Sequence, residues 1–131
     1  MVCLELEKLG YHTSLVDAGG YDIIVNVLNK PIRLQVKCSG TTDKFSVKGG
    51  RPRYNFSTSV GRIKRKLTKE DTDFVALAAI KENVIIFKPV EEIRGCTTKI
   101  SEANFENKNT TKESFERCLG YITPPIKEGR L

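Results

Sequence analysis

Two apolar runs, Tyr21 to Leu28 and Ile32 to Cys38, are separated only by Asn29-Lys30-Pro31. Runs this short, rich in β-branched residues and joined by a turn, predict an antiparallel hairpin, and the rest of the chain must be arranged around it. A second pair, Phe74 to Ile80 and Val84 to Pro89, is split by Lys81-Glu82-Asn83 and predicts another hairpin. Residues 2 to 9 place Val2, Leu4, Leu6 and Leu9 among charges ahead of Gly10. That reads as the end of a helix, with strand alternation at positions 2, 4 and 6 as the competing reading.

The remaining segments fill in around these. Tyr11 to Val16 is a short strand candidate, 17–20 a turn, 39–53 a loop or irregular arm, and Tyr54 to Val60 a strand. Residues 61–73 read as a basic helix or loop, Val90 to Arg94 as a short helix ended by Gly95, and Lys112 to Leu119 as a helix before a Pro124-Pro125 stop. A helix, then several strands, a basic segment and two more strands is the order of an α+β domain with one central sheet. At 131 residues the chain is one domain's worth. Residues 1–95 are expected to form the core, and 96–131, where Thr, Asn, Lys and Glu dominate, an extension or appendage.

Several chemistries drop out on composition. Cys3, Cys38, Cys96 and Cys118 have no close pair, which argues against a zinc knuckle or a redox motif and for free, mostly packing thiols. His12 is the single histidine, so triad and Cys-His catalysis would all depend on one side chain whose ordinary reading is a surface or half-buried ring. There is no stretch of membrane-span length and no signal-peptide pattern, so a soluble, intracellular, cytoplasmic protein is expected. The net charge of +6 favours an anionic partner, and its distribution says more than its size. Lys44 to Lys69 holds nine Lys or Arg and no Asp or Glu. Within it, Lys48, Arg51 and Arg53 lie in a Gly-containing loop and Arg62, Lys64, Arg65 and Lys66 form a cluster suited to phosphate contacts. Tyr54 and Phe56 could stack on bases, but their strand spacing is that of core side chains.

The first hairpin carries the polar residues of most interest. Asp22 opens one strand, and Gln35-Val36-Lys37 interrupts the other. Alternation along a strand puts Gln35 and Lys37 on one face and Val36 on the opposite one. A carboxylate, the Gln35 amide oxygen and the Val36 main-chain carbonyl can hold a hard cation such as Mg²⁺. A nearby lysine can position an attacking water or offset transition-state charge. That is the equipment phosphodiester hydrolysis needs.

Taken with their neighbours, these residues resemble the PD-(D/E)XK nuclease superfamily. The closer likeness is to its branch with a Gln-x-Lys motif, which includes an intron-encoded homing endonuclease and related small bacterial and phage proteins. The similar segments, in family order, are Leu9 to Leu15, Tyr21 to Val25, Leu34 to Lys37, Leu67 to Phe74 and Ile85 to Ile93. The resemblance implies a restriction-endonuclease-like core, a central mixed sheet flanked by helices. It also implies Asp22 as metal ligand, Gln35 as metal or water ligand and Lys37 as catalytic lysine, with Mg²⁺ as cofactor and Mn²⁺ as its substitute. Relatives often carry a Glu on the first helix at a spacing that would here precede Met1, so that either the chain begins late or Glu5 or Glu7 stands in. Asp71 and Asp73 are expected to be structural, and Ser39 to bind a phosphate or cap a turn. The expected partner is double-stranded DNA, engaged by a homo-oligomer because a domain this small covers little of a duplex. A resolvase of branched DNA junctions and a non-cleaving DNA-binding module are the alternatives.

Overall fold

The computed structural model describes residues 1–16, 20–43, 52–61 and 63–121. Its centre is a five-stranded mixed sheet in the order β1-β2-β3-β7-β8. The strands are β1 (His12–Leu15), β2 (Ile23–Val27), β3 (Lys30–Ser39), β7 (Phe74–Ala79) and β8 (Val84–Pro89), and only the β3–β7 pairing is parallel. Between β3 and β7 the chain makes β4 (Arg53–Ser57), β5 (Ser59–Val60) and β6 (Arg65–Lys66). After β8 come 3-10 turns over Val90–Glu92 and Glu102–Phe105, flanking β9 (Thr97–Ser101). The two α-helices are α1 (Val2–Lys8) and α2 (Thr110–Leu119). The α+β expectation holds.

Alternation along the strands divides the interior into two cores. Ile23, Val25, Leu34, Phe74, Ala76, Ile85 and Phe87 face α1 and α2, where they meet Leu6 and Phe115. Val75, Leu77 and Val84 face the opposite way, onto Tyr54, Phe56, Leu67 and Phe105. Phe74 to Ala79 is therefore buried at every position, which is why it reads as an unbroken apolar run.

Both expected hairpins form, but the first turns earlier than its sequence suggests. Leu28 and Asn29 both adopt positive φ, 51° and 65°, and β3 resumes at Lys30. A two-residue turn of this hand matches the twist of the flanking strands, so strand twist outweighs the preference of leucine for negative φ. Residues 63–73 form no helix. Ser59 and Val60 pair with Lys66 and Arg65 in a two-residue ribbon, followed by turns to Asp71.

Of the segment beyond Gly95, the described residues 96–121 are packed into the fold and are no appendage. β9 pairs with β4, and Phe105, Phe115 and Cys118 are fully buried. Sequence reading missed this because the segment's apolar residues are few and widely spaced, while its polar ones satisfy the sheet edge. The Thr111 and Ser114 hydroxyls of α2 accept the outward N–H groups of Ile85 and Phe87 at 3.0 and 2.9 Å. At the opposite edge the Glu7 carboxylate accepts the Thr13 N–H at 2.9 Å. Edge groups capped in this way discourage strand-to-strand association.

Candidate active site

Asp22 stands where β2 and β3 diverge. Its N–H donates to the Leu34 carbonyl at 2.9 Å, and its carbonyl accepts from Val16 at 3.0 Å. Past that point β2 no longer flanks β3, and the Val36 N–H faces an open gap. The Asp22 Oδ2 atom fills it, accepting from Val36 at 2.9 Å. On β3 the carbonyls of Arg33 and Ser39 point towards β7, whereas the Leu34 carbonyl and Val36 N–H point towards Asp22. Main-chain alternation therefore aims the Val36 carbonyl into the same gap. Continuing the Ile23–Leu34 register sets Asp22 opposite Gln35.

Gln35 and Lys37 are half-buried and share the face of Val75 and Leu77. Lys37 Nζ donates to the Ser59 carbonyl at 3.3 Å, which ties it to the β4–β5 break. The Gln35 side chain makes no hydrogen bond among the described residues. A cleft of about 360 Å³ opens beside Asp22, lined by Val2, Cys3, Leu15, Val36 and Cys38 among others. Gly20 holds the approach to Asp22 close to the neighbouring turn, since a Cβ there would lie 2.7 Å from the Asp71 carbonyl oxygen.

Neither helix carboxylate joins this group. Glu7 spends one oxygen on the Thr13 N–H and hydroxyl, at 2.9 and 3.0 Å, and Thr13 holds its carboxyl below the usual range. Glu5 pairs with Lys8 at 3.4 Å. The turn of α1 that lines the Asp22 cleft is Met1, Val2 and Cys3 instead. Among the described residues no three His, Cys, Asp or Glu side chains converge to hold a metal. What remains is a set of hard oxygens: the second Asp22 oxygen, the Gln35 amide and the Val36 carbonyl. Oxygens of this kind are the ligand type that Mg²⁺ takes and not that of a closed zinc site.

The two acidic residues expected to be structural are so. Asp73 accepts from the Arg33 backbone N–H, Nε and Nη2 at 2.8, 3.2 and 3.1 Å. Arg33, which sequence reading passed over, also donates to the carbonyls of Lys69 and Glu70. Asp71 accepts the Thr68 N–H at 2.9 Å and both terminal nitrogens of Arg65. Arg65 is the main reason the Asp71 carboxyl is held down to about 2.

The basic block is only partly available to an anion. Arg65 is bound to Asp71, and Arg53 lies 3.6 Å from Asp43, which also accepts its N–H. Ser39 donates to the Thr41 carbonyl at 3.2 Å, the turn-capping alternative. Among the described residues Lys64 is exposed without an ion pair, and Lys66 Nζ donates only to the Leu67 carbonyl, at 3.4 Å. Lys48, Arg51 and Arg62 lie outside the described residues, as do most of the 17–20 turn and the Pro124-Pro125 stop. The four cysteines are free; Cys118 is buried and Cys3 half-buried, but Cys38 and Cys96 are exposed and do not serve packing. His12 is exposed on β1.

No protein-family model matches the chain, and no curated protein matches it. Among solved structures, the fold is similar to that of a bacterial homing endonuclease, I-Ssp6803I. The two superpose with a TM-score of 0.59 at 19% sequence identity, over 76% of this chain and 66% of that one. The chain thus spans 66% of that protein's length, and at 19% identity the likeness is one of fold.

Proposed function

We propose that this chain is a metal-dependent endonuclease that hydrolyses phosphodiester bonds in double-stranded DNA. In this reading it is related to homing endonucleases and carries a PD-(D/E)XK-type site with Gln35 in the acid position. The observation that carries the reading is the Asp22 carboxylate seated on the Val36 N–H, at the fork where Gln35 and Lys37 present their side chains to one face. The fold likeness to I-Ssp6803I supports it.

Asp22, the Gln35 amide oxygen and the Val36 carbonyl would hold Mg²⁺, with Mn²⁺ as substitute. Bound there, the ion supplies charge neutralisation at the phosphate and acidifies a water. The protein's own work is positional. The Val36 N–H engages one oxygen of Asp22 and so orients the other. Lys37 brings a fixed positive charge to the phosphate and a donor for the attacking water. Lys64 and Lys66, with Lys48, Arg51 and Arg62 of the same block, supply sequence-independent backbone contacts. The protein works inside the cell as a homo-oligomer, because symmetric assembly doubles the duplex surface one small domain covers.

The test is relaxation or linearisation of supercoiled plasmid in Mg²⁺. Cutting should stop in EDTA, in Asp22→Asn and in Lys37→Ala while both variants keep their circular dichroism. Undiminished cutting by both variants would sink the assignment. A non-cleaving DNA-binding module is the second reading, favoured by Asp22 being the one carboxylate at the site among the described residues and by the engagement of Glu5 and Glu7 elsewhere. Duplex binding that persists in EDTA, with no cutting in any divalent metal, would establish that reading instead.

A further inference from the structure

Thr58 sits at the break between β4 and β5 with no solvent exposure, and its backbone and side-chain polar groups are all engaged. Its hydroxyl donates to the Gly95 carbonyl at 2.7 Å and lies 3.1 Å from the Thr98 hydroxyl. Its N–H donates to the Cys96 carbonyl at 2.8 Å, and its carbonyl accepts from Leu67 at 3.1 Å. Apolar packing tolerates many small backbone shifts, whereas a satisfied polar knot in a dry interior holds one geometry. The geometry held here is that of the next residue. Ser59 is 4% exposed, and its carbonyl is the acceptor for Lys37 Nζ. A lysine on a flexible four-carbon stem is ordered only as well as its acceptor is.

We propose that Thr58 is a positioning residue for Lys37, acting through the Ser59 carbonyl, and that residues 95–98 serve the site by anchoring Thr58. Its kinetic consequence rests on the nuclease reading above; its structural consequence does not. The segment read from sequence as an extension thereby acquires a role at the site, through main-chain carbonyls and hydroxyls that have no sequence signature.

Thr58→Val keeps the shape and removes the hydroxyl, and Thr58→Ser restores it. Two measurements on the full chain decide the matter: ¹³C relaxation of the Lys37 Cε methylene, and plasmid cleavage in Mg²⁺. Displacing a catalytic group by about 1 Å costs about a hundredfold, so a loosened lysine that still visits its productive position loses roughly tenfold in kcat. Thr58→Val should show that loss with KM unchanged and a less ordered Lys37 Cε, and Thr58→Ser should recover both. Should Thr58→Val not fold, Thr98→Val removes one partner of the same hydroxyl and takes its place in the comparison. Unchanged Lys37 relaxation in the valine variant overturns the positioning role, even where the wild type cuts DNA. A looser Lys37 in a protein whose wild type cuts no DNA upholds positioning and defeats the nuclease reading.

Discussion

Replacing Asp73 by alanine tests whether the turn beneath the candidate site is held electrostatically. Asp73 accepts one main-chain and two guanidinium bonds from Arg33, with 17% and 30% of the two side chains exposed. Breaking a buried pair costs about 3–5 kcal/mol, because the surviving charge is stranded. Arg33 is not fully stranded, since the carbonyls of Lys69 and Glu70 still accept from it at 2.7 and 3.0 Å and water reaches it. The remaining terms are the lost charge-assisted bonds and an Arg33 N–H without its acceptor, together about 2–3 kcal/mol. Asp73→Asn keeps an oxygen for that N–H and should lose about half as much. Urea denaturation followed by circular dichroism reads the difference as a lower midpoint at constant slope. A loss below about 1 kcal/mol for the alanine variant would show that Arg33 and Asp73 are a surface pair of the ordinary, nearly neutral kind.

Further outcomes follow from the same contacts. The Asp71 and Glu92 carboxyls are held down to about 2, chiefly by Arg65 and Arg117, while burial pushes the Asp73 carboxyl up but the Arg33 bonds together outweigh it and leave it lowered. Lowered carboxylates stabilise the fold above their unfolded values near 4 and cease to do so as pH falls through the folded ones. Stability from these three groups should be flat from pH 5 to 8 and decline from about pH 4 towards 2, a trend that urea midpoints at stepped pH would reveal. Phe115→Ala should cost about 3–5 kcal/mol by the same denaturation assay, since this fully buried ring packs edge-on against Tyr11, Phe74 and Phe87. Lys64→Ala should lower the slope of log affinity against log salt for duplex DNA by roughly 0.9 in fluorescence anisotropy. Arg65→Ala should instead lower the thermal midpoint by freeing Asp71, so equal slope changes in the two variants would contradict the pairing.

Local pattern carried much of this protein. The two hairpins, the short helix before Gly10, the helix ending at Leu119 and the α+β class are legible in the chain because alternation and turn chemistry act over a few residues. The relation of Gln35 to Lys37 belongs with them, since two residues on one strand share a face wherever the strand goes. Other features depend on groups far apart in sequence. The carboxylate of Asp22 meets the Val36 N–H only because β3 runs on past the start of β2, and Lys37 meets Ser59 only because β4 to β6 fold over the parallel β3–β7 step. Arg65 reads as a free cation until the turn brings Asp71 to it, and Arg33 reads as an ordinary strand residue until Asp73 arrives beside it from forty residues away. The segment after Gly95 reads as an appendage because its contribution is made by isolated rings and by hydroxyls on a sheet edge. Periodicity reports which face a residue occupies; which partner waits on that face is set by long-range packing and hydrogen bonding, and that only the tertiary structure decides.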